Sequence, residues 1–141
     1  SVLDEEKVDQ FHKKVMAITS PTAVQQAYQA ASFALLAKKT WNPIEKISSM
    51  NRYGKLMDKA IANAPDNIEI RFLRLSIDHN TPMVMGRHRN VVIDKAQILL
   101  LLKPIIKFEL DSHFNRFILY FLRTEQIYSR EELEVVSAKL N

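Results

Sequence analysis

The sequence contains no cysteine, which excludes disulfides, thiolate nucleophiles and cysteine-ligated zinc or iron–sulfur sites. It has only two glycines and five prolines in 141 residues, too few for the turns of a sheet-rich fold, so the composition favours helices. Two glycines also nearly exclude a glycine-rich loop that holds phosphate. Apolar residues make up 47% of the chain, enough for one hydrophobic core. We therefore expect a single all-α domain spanning residues 1–141.

Strong charge of one sign and long apolar runs are also missing. The net charge is +4 and the basic residues are spread along the chain, so we expect no nucleic-acid partner. The longest apolar run, Ile98 to Leu102, falls far short of the roughly 20 residues that a membrane span needs. The sequence shows no signal peptide. It begins at Ser1 rather than Met, so we expect that the chain was processed or trimmed and that an export signal could have been removed.

Apolar residues at spacings of three and four predict three helices in the first half of the chain. The first covers 4–17. The second has Ser20 as its N-cap and Pro21 at its first position. The third covers 43–62 with Asn42 as its N-cap, and its predicted buried row is Ile47, Met50, Gly54, Met57 and Ile61.

The middle of the chain predicts a helix, a loop and a second helix. Asp66 caps the helix 66–78, and Glu69 completes a capping box. Residues 79–90 form the longest polar break and are predicted to be a loop. From Val91 the next helix runs to residue 103, where Pro104 bends or stops it.

Two further helices are predicted near the C-terminus. One starts at Asp111 or Ser112, and the other at Ser129, which forms a capping box with Glu132. Short connections imply antiparallel neighbours. The chain is therefore predicted to contain about seven helices in antiparallel hairpins and no strand.

The segment "YGKLMDKAIANAPDN", residues 53–67, resembles the second half of a tetratricopeptide repeat. Ala60 and Pro65 have the spacing of that family's late alanine and closing proline, and Gly54 lies near its small-residue position. The longer string from Trp41 to "DKAQI" resembles a group of uncharacterised bacterial helical proteins that are often exported. The resemblance implies a tetratricopeptide-like bundle or short solenoid that presents a concave face to a partner peptide or protein. The resemblance to the exported bacterial proteins implies a periplasmic address, but it does not point to any particular activity.

No sequence motif for catalysis or cofactor binding is present. We therefore predict no enzyme, no catalytic residue, no metal and no cofactor. The acidic residues lie mostly at helix N-termini, where capping explains them. The alternative is a small enzyme or metal-binding protein that uses His79, His88 and nearby carboxylates such as Asp78 and Asp94.

Five basic side chains form the predicted binding site: Arg71, Arg74, Arg87, His88 and Arg89. No acidic residue occurs in 79–93, so a loop folded back on the helix 66–78 would create an anion site for a carboxylate, a phosphate or an acidic peptide. The alternative is ordinary ion pairing, of Arg74 with Asp78 at i+4 and of Arg71 with an acid on a neighbouring helix.

The function that we predict is a non-catalytic module that binds a protein or peptide, with an acidic partner best suited to the arginines. Met83, Val84 and Met85 either form an exposed contact or fold onto the core. Trp41 is expected to pack at a helix junction. A self-associating structural domain, which would use the run 98–106 or the phenylalanine row Phe114, Phe117 and Phe121, is a further alternative.

Overall fold

The structure, a computed structural model, describes residues 2–107, 129–132, 134 and 138, with side chains from residue 4 to residue 101 and at the C-terminal positions. Its helices are α1 (Val2–Met16), α2 (Ala23–Lys39), α3 (Pro43–Asn63), α4 (Ile68–His79) and α5 (His88–Lys107), with a 3-10 turn at Met83–Met85. The described residues contain no strand, which confirms the all-α prediction. The chain forms two compact units, residues 1–77 and residues 78–141, called here the first and second units.

Polar side chains join α1 to α2 in an antiparallel hairpin. Nδ1 of His12 lies 2.7 Å from Oγ of Ser32, and Nε2 of Gln29 donates to the carbonyl oxygen of Val15 at 2.9 Å. Further along α2, Nζ of Lys39 lies 2.6 Å from a carboxylate oxygen of Asp9, in the middle of α1. Residues late in α1 therefore meet residues in the middle of α2, and the middle of α1 meets the end of α2, so the two helices run antiparallel.

The pair α2–α3 forms the centre of the first unit. Alanines on α2 have no side chain beyond Cβ, which lets the helices approach closely. Nδ2 of Asn63 donates to Oε1 of Gln26 at 3.2 Å, and Nζ of Lys46 donates to the carbonyl oxygen of Ala37 at 2.8 Å, so these helices are also antiparallel. The core that they enclose with α4 consists of Ala27, Ala30, Phe33, Tyr53, Met57, Ala60, Ile61 and Ile70.

The predicted start of α2 at Ser20 and Pro21 is wrong by two residues. Ser20 has a left-handed backbone with φ 51°, whereas an N-cap residue needs an extended one. Thr22 is extended and caps the helix: its Oγ1 accepts from the backbone N–H of Gln25 at 3.2 Å, and Oε1 of Gln25 accepts from the backbone N–H of Thr22 at 3.0 Å. The Asn42 cap of α3 is confirmed, with Oδ1 accepting from the N–H of Ile44 at 3.0 Å.

The predicted cap of α4 is wrong by one residue. Oδ1 of Asn67, and not the side chain of Asp66, accepts from the backbone N–H of Ile70 at 3.1 Å. Glu69 serves another purpose, since its Oε1 accepts a hydrogen bond of 2.7 Å from the hydroxyl of Tyr28 on α2. This hydrogen bond, together with burial and the negative charge, raises the pKa of Tyr28 to about 12.

The predicted loop 79–90 is shorter than expected, because α5 begins at His88 and a 3-10 turn precedes it. Pro104 does not stop α5, which continues to Lys107. The helix predicted at Asp111 or Ser112 and the phenylalanine row lie outside the described residues.

The capping box of Ser129 and Glu132 is confirmed. The two reciprocal hydrogen bonds measure 3.1 and 3.2 Å. Nζ of Lys95 lies 3.2 Å from Oε1 of Glu132, which links the box to α5 within the second unit. Burial favours the neutral form of Glu132, but the hydrogen bonds from Ser129 and Lys95 outweigh it and lower its pKa.

Candidate functional site

Arg71 and Arg74, the two members of the predicted site on α4, lie on the buried side of that helix. Arg71 and Arg74 are only 7% and 6% exposed. Nε of Arg71 donates to the carbonyl oxygen of Pro65 at 2.9 Å, across the turn between α3 and α4. Nη1 of Arg74 lies 3.4 Å from Oδ1 of Asp58 on α3. Because a buried guanidinium group needs such partners, both arginines contribute to the packing of the first unit.

The other members of the predicted site, Arg87, His88 and Arg89, belong to a hydrogen-bonded segment of the second unit. The carboxylate of Asp78 is completely buried. It accepts from Nε of Arg87 at 3.2 Å and from Nδ2 of Asn90 at 3.1 Å. Nε2 of His88 lies 2.5 Å from the carbonyl oxygen of Thr81. A carbonyl oxygen can only accept, so Nε2 carries the proton. Arg87 and His88 therefore hold this segment in shape.

Arg89 differs from the other four predicted residues. Its side chain is exposed and makes no hydrogen bond or ion pair with the part of the chain that the structure describes. The structure thus places Arg71 and Arg74 in the first unit, and Arg87, His88 and Arg89 in the second. A single anion site formed by all five stays a prediction, and Arg89 is the member whose guanidinium group is most accessible.

The alternative metal site is not formed by the described residues. Asp78 directs its two oxygens at Arg87 and Asn90, and His88 directs Nε2 at a carbonyl oxygen. Among the described residues, no group of three or more histidine, aspartate or glutamate side chains could hold a metal ion.

A close histidine–serine pair in the first unit also has a structural explanation. The hydroxyl of Ser32 donates to the carbonyl oxygen of Gln29 at 2.7 Å, so Nδ1 of His12 must be the donor to Ser32. Burial lowers the pKa of His12, Asp9 opposes that shift and Arg52 adds to it. Ser32 is completely buried, which keeps its oxygen away from any substrate, and the pair therefore fastens α1 to α2.

The 3-10 turn of the second unit presents two apolar side chains to solvent. Met83 is 76% exposed and Val84 is 92% exposed, whereas Met85 is half-buried. The backbone N–H groups of Met85 and Gly86 donate to the carbonyl oxygens of Pro82 and Met83, each at 3.0 Å. Of the two outcomes that the sequence left open, exposure is the one observed for Met83 and Val84.

The first unit exposes a second group of apolar side chains, which sequence reasoning missed. Trp41, expected at a packed junction, is 89% exposed, and Ile44 is 79% exposed. Ile47, predicted in the buried row of α3, is about half exposed. Their spacing of three residues was a visible signal. Periodicity identifies a helix face, but only the neighbouring helices decide whether its first turns are covered.

Comparisons with known proteins give no relative on which to build. A scan against protein-family models, a search of curated proteins and a search of solved structures found no match to this chain. Among the described residues, no helix combines the length and the apolar character needed to cross a bilayer. The tetratricopeptide resemblance stays a prediction, while the all-α architecture is observed.

Proposed function

We propose that this protein is a non-catalytic module that binds a protein or peptide through exposed residues of the second unit. The proposed surface, called here the 82–93 surface, consists of Met83, Val84, Arg89, Val92 and Ile93. The observation that carries the proposal is the exposure of Met83 and Val84, at 76% and 92%, on a turn with fixed ends. Exposed apolar side chains that stand together are typical of a binding surface, and methionine adapts its shape to a partner.

The hydrogen bonds beneath this surface support the proposal. Arg87 and Asn90 both donate to the buried carboxylate of Asp78, and His88 donates to Thr81, so the segment is held at two places. A partner would therefore meet a pre-ordered surface and would lose less conformational entropy on binding. In this proposal Arg87 and His88 position the surface, and they do not contact the partner themselves.

The charge of the segment favours an acidic partner. No acidic residue occurs in 79–93, and the exposed guanidinium group of Arg89 adjoins Val92 and Ile93, three and four residues further along α5, which lie on the same helical face. An amphipathic peptide with carboxylates beside its apolar residues would fit this pattern. Arg71 and Arg74 are assigned to the stability of the first unit.

A tetratricopeptide-like organisation is a finer part of the same proposal. The hairpin of α2 and α3, together with the burial of Gly54 and Ala60, supports it. In that family small residues at such positions let paired helices approach closely, and the hairpins present a surface to a partner.

The test is a selection of displayed random peptides against the immobilised 141-residue chain, followed by affinity measurement. Met83→Ser combined with Val84→Ser should lower the affinity for the selected peptides by about tenfold or more, because two apolar contacts are lost. Leu35→Ser is the matched control, since Leu35 is also an exposed apolar residue but belongs to α2 of the first unit. Arg89→Ala should lower the affinity for acidic peptides only. This loss should be smaller at high salt, which screens the charge of the guanidinium group.

Two outcomes would contradict the proposal. Peptides that bind the Met83 and Val84 variant as tightly as the unchanged chain would place the binding face elsewhere. Failure to select any peptide, with a chain that is folded by circular dichroism, would remove the peptide-binding function.

A further inference from the structure

All the sulfur atoms of this chain belong to methionine. The sequence contains five methionines and no cysteine. A peroxide therefore meets no thiol in this protein, and the thioether sulfurs are the sulfur groups that it can oxidise. Because the oxidant has to reach the sulfur atom, exposure decides which methionine reacts first.

The five methionines differ widely in exposure. Met57 is completely buried in the core of the first unit, and Met50 packs against that core. Met85 is half-buried. Met16, at the end of α1, is 40% exposed, whereas Met83 is 76% exposed. Met83 is therefore the most accessible methionine of the chain, and it lies on the 82–93 surface.

The turn that carries Met83 is held by backbone groups. The N–H of Gly86 donates to the carbonyl oxygen of Met83, and the N–H of Met85 donates to the carbonyl oxygen of Pro82, each at 3.0 Å. Neither hydrogen bond involves the side chain of Met83. A chemical change at its sulfur atom would therefore alter the polarity of the surface and leave the turn in place.

We propose that Met83 is an oxidation site through which peroxides weaken partner binding at the 82–93 surface, an inference that rests on the proposed function. A lone pair of the sulfur attacks one oxygen of hydrogen peroxide, an S–O bond forms and the O–O bond breaks. The departing hydroxide takes up the proton of the transferred oxygen and leaves as water, so the sulfur is oxidised and the peroxide is reduced. Methionine sulfoxide reductases reverse the change, taking electrons from thiols and releasing the oxygen as water.

The sulfoxide changes what a partner meets. It is polar and a hydrogen-bond acceptor, so covering it with an apolar side chain of a partner costs free energy that covering a thioether does not. Val84 stays apolar and Arg89 keeps its charge, so the surface is weakened rather than abolished. Oxidation at Met83 thus acts on the apolar part of the interaction and leaves the electrostatic part in place.

The site is tested first without any partner. The 141-residue chain is treated with hydrogen peroxide at neutral pH, and tandem mass spectrometry follows each methionine and resolves Met83 from Met85. We expect Met83 to be oxidised fastest, Met16 more slowly, and Met57 only after the chain is unfolded in urea. Circular dichroism of the chain oxidised at Met83 should be unchanged, because this side chain is not part of the core.

The effect on binding is measured with peptides selected on the unoxidised chain, and catalase removes the peroxide before the peptide is added. Affinity should fall roughly fivefold or more on oxidation, and it should recover after treatment with methionine sulfoxide reductases and dithiothreitol. Met83→Leu removes the thioether, so its affinity should be the same before and after peroxide. Met16→Leu is the matched control and should lose affinity on oxidation as the unchanged chain does.

The outcomes separate this inference from the proposed function. Oxidation of Met16 as fast as Met83 would remove Met83 as the preferred site. Equal affinity of the Met83 sulfoxide and the unoxidised chain would overturn the effect on binding, and so would a loss in Met83→Leu as large as in the unchanged chain. Failure to select any peptide on the unoxidised chain would contradict the proposed function and this effect together, whereas the rates of oxidation would still decide whether Met83 is the site.

Discussion

The described residues of the two units bury different chemistry. In the first unit the buried side chains are mainly apolar, with alanines of α2 against Tyr53 and Met57. In the described part of the second unit, four of the five buried residues are polar, namely Asp78, Thr81, Asn90 and Asp94. The fifth, Ile98, is apolar. Apolar packing has no preferred direction, whereas hydrogen bonds require alignment. The comparison teaches that few, directional bonds define the segment 78–94, while many small contacts define the first unit.

The largest effect is expected for Asp78→Ala in the second unit. The carboxylate is completely buried and accepts from both Arg87 and Asn90. Its removal leaves a nearly buried guanidinium group without this counter-ion, which costs about 3–5 kcal/mol in free energy of unfolding. Urea denaturation measures the loss, and hydrogen exchange should show weakened protection of the first turns of α5.

Asp9→Ala is the control for that variant. Asp9 lies 2.6 Å from Nζ of Lys39, closer than Asp78 lies to Arg87, but it is largely exposed. Solvent screens the pair, so we expect a loss of at most about 1 kcal/mol. Equal losses for the two aspartates would contradict the view that burial makes the ion pair of Asp78 the stronger contributor to stability.

A somewhat smaller effect is expected for Met57→Ala in the first unit. Met57 is completely buried in the core, and its removal leaves a cavity that costs about 2–4 kcal/mol, depending on how far the helices collapse. Leu35→Ala on the exposed side of α2 should change stability by roughly 0.5 kcal/mol or less. A loss below that of Leu35→Ala would show that apolar packing does not dominate the first unit. Denaturation midpoints in urea measure both.

The third prediction tests which residue caps α2. Thr22→Ala removes a side-chain acceptor and should cost about 1 kcal/mol. Ser20→Gly should instead stabilise the protein, by roughly 0.4–1 kcal/mol at most, because glycine adopts the positive φ of this position without strain. Thermal melting of the two variants should therefore shift in opposite directions. A lower melting temperature in both variants would contradict this assignment and would indicate that Ser20 caps α2.

The smallest effect concerns pH and the hairpin of α1 and α2. The pKa of His12 is lowered from 6.5 in the folded chain, mainly by burial. The unfolded chain therefore binds a proton first as the pH falls, so stability is complete above pH 6.5 and declines below it. The melting temperature of His12→Gln should change less between pH 7 and pH 5.5 than that of the unchanged protein. An identical slope in both proteins would remove His12 as the source.

Local signals in the sequence predicted much of the first unit and one capping box of the second. The Asn42 cap and the spacing of Met50, Gly54 and Met57 placed α3 to within a residue of its observed bounds. The capping box of Ser129 and Glu132 was also correct. These features depend on residues within one or two helical turns of each other, and a sequence records such neighbours directly.

Features that depend on distant residues could not be predicted in the same way. Ser20 looked like a cap until its backbone proved left-handed, and Glu69 looked like half of a capping box until Tyr28 supplied its partner from α2. The candidate site followed the same rule. Charge identified Arg71 and Arg74 as binding residues, but their burial against Pro65 and Asp58 depends on how α4 packs on α3.

The sequence by itself determined that this chain is helical, where most helices lie, and that cysteine chemistry is excluded. Only the tertiary structure decided which polar and apolar side chains are covered. Arg71 became buried and Trp41 became exposed, opposite to the tendency of each residue type. Helix formation is governed by neighbours in the chain, whereas exposure is governed by helices brought alongside from elsewhere in the sequence.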